Sequence, residues 1–129
     1  MRPKAISPEG AAKAVGPYSH AVRVSDFLFT SGQIPLDPKT GNLVPGGIEA
    51  QTERALENIK ILLADQGLDF CNVVKSTVFM TNLGDFTAMN AIYAKYFQEP
   101  FPARSTIQVT ALPRQAMVEI EIVAHFSTP

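Results

Sequence analysis

Arg104 stands in Phe101-Pro102-Ala103-Arg104-Ser105-Thr106 and is the only arginine of that segment, which leads into the strand-like run Thr106-Ile107-Gln108-Val109. A guanidinium cannot lose its charge, and its planar fork of donors matches a carboxylate. In a β segment of a small domain it needs an anionic partner. That partner is either a structural glutamate, with Glu119 or Glu121 of the last strand as candidates, or a bound ligand. Glu119 has the same two readings: a solvated glutamate on a polar sheet face, or a group that orients a water or a substrate amine beside Arg104. Asn90 lies four residues after Phe86 and three before Tyr93, inside an apolar helical stripe. Its amide needs partners there, from nearby backbone or from a ligand. Tyr18, in Gly16-Pro17-Tyr18-Ser19-His20, is a packing tyrosine or the cap of a pocket. In Ser31-Gly32-Gln33, backbone N–H groups and the Ser31 hydroxyl form either a plain strand exit or a small-anion site.

Other chemistries find little support. His20 and His125 are the only histidines, without metal-ligand spacing. Cys71 has no basic residue within two positions and reads as an ordinary thiol. Gly46-Gly47 lacks the Lys-Ser/Thr of a phosphate-binding loop. Catalysis by this chain would therefore rest on binding, electrostatics and water.

The elements that must position these residues are legible from periodicity. The chain has 129 residues, 46% hydrophobic and 18% charged, which fits one soluble globular domain over residues 1–129 with no internal repeat or linker. A net charge of −1 with no basic stripe argues against nucleic acid and against an anionic membrane surface. No apolar run reaches membrane-spanning length, and the N-terminus lacks a signal core, so a cytoplasmic location is expected. A single cysteine is consistent with a reducing compartment. Residues 20–31 alternate as two strands with a tight turn at Ser25-Asp26, followed by a turn-rich stretch from Gly32 to Gly47. Residues 48–66 carry a helical stripe through Ile48, Thr52, Ala55, Leu56, Ile59, Leu62 and Leu63, stopped by Gly67. Residues 73–80 are rich in β-branched side chains and read as a strand. A second helix over 84–98 puts Phe86, Met89, Tyr93 and Phe97 on one stripe. Two further strands follow, at about 104–111 and 117–126. This order predicts an α+β sandwich, with both helices on one face of a mostly antiparallel sheet. The other face, with Glu119, Glu121, Val123 and His125, is polar but still carries Thr, Val and Phe79, which suits a subunit interface better than bare solvent.

Several segments together, in this order, resemble the reactive intermediate deaminase (RidA, YjgF-type) family. They are Gly16-Pro17-Tyr18-Ser19, Phe29-Thr30-Ser31-Gly32-Gln33-Ile34-Pro35, Asn58-Ile59, Val73-Val74-Lys75-Ser76-Thr77-Val78, Asp85-Phe86-Thr87-Ala88-Met89-Asn90, Pro102-Ala103-Arg104-Ser105 and Val118-Glu119-Ile120-Glu121. None is specific alone; together they span the chain. The resemblance implies a chorismate-mutase-like (bacillus type) subunit and a homotrimer whose sheets form a barrel, with three sites between subunits. It implies hydrolysis, without a cofactor, of 2-imino and 2-enamino acids, products of pyridoxal-phosphate dehydratases, to 2-keto acids and ammonia. Such hydrolysis protects pyridoxal-phosphate enzymes from attack. It makes Arg104 the carboxylate anchor and Glu119 the glutamate near the reacting carbon. Tyr18, Ser31, Gly32, Phe86 and Asn90 then line the pocket. Many members carry a cysteine two residues after the arginine; here it is Thr106, whose carbonyl and hydroxyl can still hold a water. Two alternatives stand beside this: a 2-keto acid sensor without turnover, which needs the same Arg104, and a ribonuclease or translation inhibitor, which the charge balance and the lack of a histidine pair disfavour.

Overall fold

A computed structural model of the protein describes residues 2–11 and 13–126. Six strands and two α-helices follow the chain as β1 (Lys4–Ile6), β2 (Ala21–Val24), β3 (Phe27–Thr30), α1 (Ile48–Asp65), β4 (Val73–Met80), α2 (Phe86–Tyr93), β5 (Ala103–Gln108) and β6 (Val118–His125). The strands form one sheet in the order β1-β2-β3-β6-β4-β5. Four of the five pairings are antiparallel, and β4–β5 is parallel. The parallel pair follows from the connection: α2 lies between β4 and β5, and a helical crossover returns the chain in the same direction. The sheet is thus mixed, within the expected α+β class.

The predicted elements form close to their expected bounds, with three differences. β1 was not expected, because three residues carry no readable period. The second helix is shorter than 84–98. Asn82 Oδ1 accepts from Gly84 N–H at 2.8 Å and sets a separate turn before it, and tighter bonds such as Tyr96 N–H to Tyr93 O at 3.0 Å end it. β5 stops at Gln108 rather than continuing to 111. No helix among the described residues is long and apolar enough to cross a membrane.

The core lies between the helices and one sheet face. From α1 it takes Ala55, Leu56, Ile59 and Leu63; from α2, Met89 and Tyr93; from the sheet, Leu28, Val78, Met80, Val118, Ile120 and Ala124. Each fully buried Leu or Ile contributes about 1.5–3 kcal/mol relative to exposure. Along β6 burial alternates strictly, with Val118, Ile120, Ile122 and Ala124 inward. The residues between them, Glu119, Glu121, Val123 and His125, face away from the helices. Phe79 and Thr77 of β4 lie beside Glu119 and Glu121 on that face, and Phe27 and Phe29 of β3 lie beside His125 and Val123. Phe27, Phe29 and Ile107 are 40, 44 and 44% exposed, so this open face carries exposed apolar side chains among the charges of Lys75, Glu119 and Glu121.

The segment after β3 is tied down from both sides. Gln33 N–H donates to Ile120 O at 2.8 Å, and Asn58 Nδ2 of α1 donates to Ile34 O at 3.2 Å and Leu36 O at 2.9 Å. Asn58 Oδ1 in turn accepts from Arg54 Nε at 3.0 Å. Asn58 is buried, so Asn58→Ala strands two carbonyls. We expect a loss of about 1–3 kcal/mol in denaturant unfolding and faster amide exchange over residues 33–36. Unchanged exchange there would show that the tie is dispensable.

Candidate functional site

Arg104 enters β5 beside Ser76 of β4, and Thr106 beside Val78. Paired residues share a sheet face, so Arg104 and Thr106 point to the helix side. The guanidinium is half-buried. Arg104 Nη1 donates to Asn90 Oδ1 of α2 at 2.7 Å. The guanidinium carbon lies 4.6 Å from the Tyr93 ring centroid and 5.6 Å from that of Phe86. Among the described residues no carboxylate pairs with it. The structural ion pair with Glu119 or Glu121 is therefore overturned: β6 adjoins β3 and β4 rather than β5, and both glutamates point to the opposite face. Asn90, half-buried, spends its carbonyl oxygen on Arg104 rather than on backbone.

Beside this charge opens a cavity of about 430 Å³, lined by Asn90, Tyr93, Ala94, Phe97, Phe101 and Arg104 together with Pro102. It is amphipathic, with the charge and one amide among apolar walls. Phe86, expected on the buried stripe, is 37% exposed and edges the guanidinium. Thr106 Oγ1 is buried and has no hydrogen-bond partner among the described residues.

The other expected site residues gather elsewhere. Tyr18 is 49% exposed, its ring edge-on to His20 at 6.2 Å, and with Gly32 it lines a small cleft of about 60 Å³. Ser31 Oγ donates to Ser19 O at 2.6 Å, and Ser31 N–H donates to His20 O at 2.8 Å. Within the chain, both donors of Ser31 hold the Tyr18 segment, as the plain strand exit would have them. Glu119 packs on Gly32: a Cβ at residue 32 would lie 2.5 Å from Glu119 Cδ and Oε2, which explains the glycine by close approach. Burial, with the Glu121 charge adding to it, raises the Glu119 carboxyl above its ordinary value.

The eight candidates therefore form two clusters. Arg104, Asn90, Phe86 and Thr106 lie at the β5 edge on the helix side. Tyr18, Ser31, Gly32 and Glu119 lie around the end of β3 and the start of β6. At about 4.8 Å between strands, β3 is roughly 14 Å from β5 and β6 roughly 10 Å. Sequence reasoning missed Tyr93 and Ser76 beside Arg104. The available signals were a tyrosine in an otherwise apolar helical stripe and a serine between inward strand positions.

The family model described as Endoribonuclease L-PSP matches residues 9–126. Protein DfrA of Myxococcus xanthus is 52% identical over 126 residues, which cover 96% of each chain. The mouse protein named 2-iminobutanoate/2-iminopropanoate deaminase is 49% identical over 121 residues, 94% of this chain and 90% of that one. Among solved structures, TdcF of E. coli with bound serine superposes with a TM-score of 0.90 at 39% identity, covering 96% of this chain and 99% of that one. With end-to-end matches in sequence and in fold, the chain belongs to the Endoribonuclease L-PSP family, also called the YjgF/RidA family.

Proposed function

We propose that this protein hydrolyses 2-imino and 2-enamino acids to 2-keto acids and ammonia, in sites built between copies of the chain. The observation that carries this reading is Arg104: a half-buried cation held by a neutral amide and aromatic rings, without a carboxylate partner among the described residues, beside an open cavity. Relatives named 2-iminobutanoate/2-iminopropanoate deaminase support the reaction class.

In the proposed reaction the substrate carboxylate takes the remaining N–H groups of Arg104 as a bidentate pair, which fixes C2. Water adds to the protonated C=N carbon, one of its protons passes to a base and the other reaches the nitrogen, and the C–N bond breaks as the C=O forms, releasing ammonia and the 2-keto acid. Thr106 can contribute its backbone carbonyl to holding the water, because its hydroxyl is buried and does not line the cavity. Glu119 is the candidate base. Two strands away and on the opposite sheet face, it cannot reach a substrate this small on Arg104 of its own chain. We therefore assign that role to Glu119 of a neighbouring copy, brought with Tyr18 and Gly32 over the β5 edge. Three copies closing a barrel over the sheet face turned away from the helices would bury it and form three such sites.

The decisive test is a competition assay. An L-amino-acid oxidase generates the imino acid, semicarbazide traps it, and the protein competes with the trap. The expected result is less semicarbazone and more keto acid. No decrease across several amino acids, with 2-oxobutanoate still binding, would replace hydrolysis by the sensor reading. The family name raises ribonuclease activity as a second reading. His20 and His125 lie at opposite ends of β3: His20 O accepts from Ser31 N–H after the strand, and His125 pairs with Phe27 at its start. They are roughly 10 Å apart along the strand, too far to share one phosphate within a chain.

A pH dependence follows from Glu119. A base acts deprotonated, so kcat/KM is expected to fall as pH drops through the raised pKa of this group. Glu119→Gln should lower activity by about a hundredfold or more and remove that acid limb. The same limb persisting in Glu119→Gln would assign the titration to another group.

A further inference from the structure

The stack beneath Arg104 is ordered more tightly than an anion site alone requires. Ser76 is fully buried, Tyr93 is 7% exposed, and their hydroxyl oxygens are 2.7 Å apart. The Tyr93 ring is itself stacked on Phe97, with centroids 4.3 Å apart and planes 23° apart. Ser76 is also the residue paired with Arg104 across the parallel β4–β5 register. One closed path thus runs from β4 through the Ser76 hydroxyl to α2, through the Tyr93 ring to the guanidinium, and back to β4 through the strand pairing. Asn90, three residues before Tyr93 on the same helix, holds Nη1 from the side.

We propose that Tyr93 is a positioning residue for the carboxylate anchor. Its ring is the floor on which the Arg104 guanidinium rests, and its bond to Ser76 fixes the tilt of that floor and so the direction of the free N–H groups. This rests on Arg104 being the carboxylate anchor. The chemistry is that of a bidentate contact: two parallel N–H···O bonds form together only when the guanidinium plane contains the carboxylate, so a small rotation loses one of them. A long, flexible side chain does not hold such a plane unaided. The face of an aromatic ring attracts the cation and restricts that rotation, and a ring pinned at its hydroxyl end cannot itself rock. Burial raises the Tyr93 pKa, against the lowering effects of Ser76 and Arg104, and a phenol at its ordinary value of about 10 is already protonated at neutral pH. The bond to Ser76 therefore persists at neutral pH.

Tyr93→Phe keeps the ring and loses the tie; Ser76→Ala loses the same tie from the other end; Ser76→Thr keeps a hydroxyl. Affinity for 2-oxobutanoate by titration calorimetry and the kinetics of imine hydrolysis are the readouts. If the tie positions the anchor, Tyr93→Phe and Ser76→Ala each weaken binding and raise KM by about three- to tenfold with kcat changed less than about twofold. The double variant is no worse than the worse single, because both remove one interaction, and Ser76→Thr recovers most of the loss. A purely structural role would lower the melting temperature while leaving KM and affinity of the folded protein unchanged, and that result overturns the proposal. Should Ser76→Ala fail to fold, Tyr93→Phe alone decides, because the small serine hydroxyl it leaves is the lesser perturbation. The outcomes separate from those of the site itself. Loss of binding in Arg104→Ala with wild-type binding in Tyr93→Phe rejects only the positioning role. Retained binding in Arg104→Ala rejects the anchor, and the positioning role with it.

Discussion

Arg104→Ala is expected to lower kcat/KM for imine hydrolysis by one to two orders of magnitude or somewhat more. The lost contact is a charge-assisted bidentate pair, and a hydrogen bond to a charged group is worth about 1.5–3 kcal/mol. Loss of orientation at C2 adds to this, because the same contact fixes the reacting carbon. The fold should tolerate the change. The side chain is half-buried, and the partner it abandons, Asn90 Oδ1, is itself half-buried and can take up water. Arg104→Lys separates charge from geometry. An ammonium keeps the attraction but not the planar fork, so activity between those of wild type and Arg104→Ala is expected. The measurement is steady-state kinetics in the trapping assay, with far-ultraviolet circular dichroism as the folding control. A folded Arg104→Ala variant that is fully active would falsify the assignment of this site.

How much of this was legible beforehand depends on whether each feature is local. α1 was readable because its core stripe recurs every three or four residues over 18 positions, and the structure buries that stripe. β4 was readable at its observed bounds because its β-branched run has nothing helical about it. β6 announced itself by alternation, down to which side each residue takes. The need of Asn90 for a partner could be argued from its neighbours. That the partner is Arg104, 14 residues later, could not, since it depends on α2 crossing over the β4–β5 pair. The same limit explains the misplaced ion pair. Arg104 and Glu119 are close in sequence, on consecutive strands, but consecutive strands are not neighbours here. β6 inserts between β3 and β4 and leaves β5 at the edge, a choice made by non-local pairing that no window of sequence encodes. Ser31 shows a smaller version: its hydroxyl reads as an open donor until the Ser19 carbonyl folds back onto it.

The strand order also sets the second large effect, at Ile107. This residue lies on β5 beside Phe79 and is 44% exposed on the face turned away from the helices. In a single chain a glutamate there costs little, because water can solvate it. If that face is packed against other copies, each added carboxylate is buried beside Phe79, on a face that already carries Glu119 and Glu121 and where Lys75 Nζ is bonded to Ser105 Oγ at 3.0 Å. The penalty for an unpaired buried charge is several kcal/mol per ion and recurs at every interface of a symmetric assembly. Ile107→Glu is therefore expected to convert the assembly to monomers in sedimentation velocity, while far-ultraviolet circular dichroism retains the helical signal. It should also lower kcat/KM by more than about a hundredfold, because a monomer offers Arg104 no Glu119 within reach and loses the general-base factor of about 10²–10⁴. The loss would not come from contact with substrate, since Ile107 points away from Arg104. Ile107→Val removes one methylene and keeps the surface apolar, so it should assemble and turn over near the wild-type level. An Ile107→Glu protein that sediments as the wild type does and keeps its activity would mean that the open face is not the interface. The Glu119 cluster would then have to meet Arg104 by another surface.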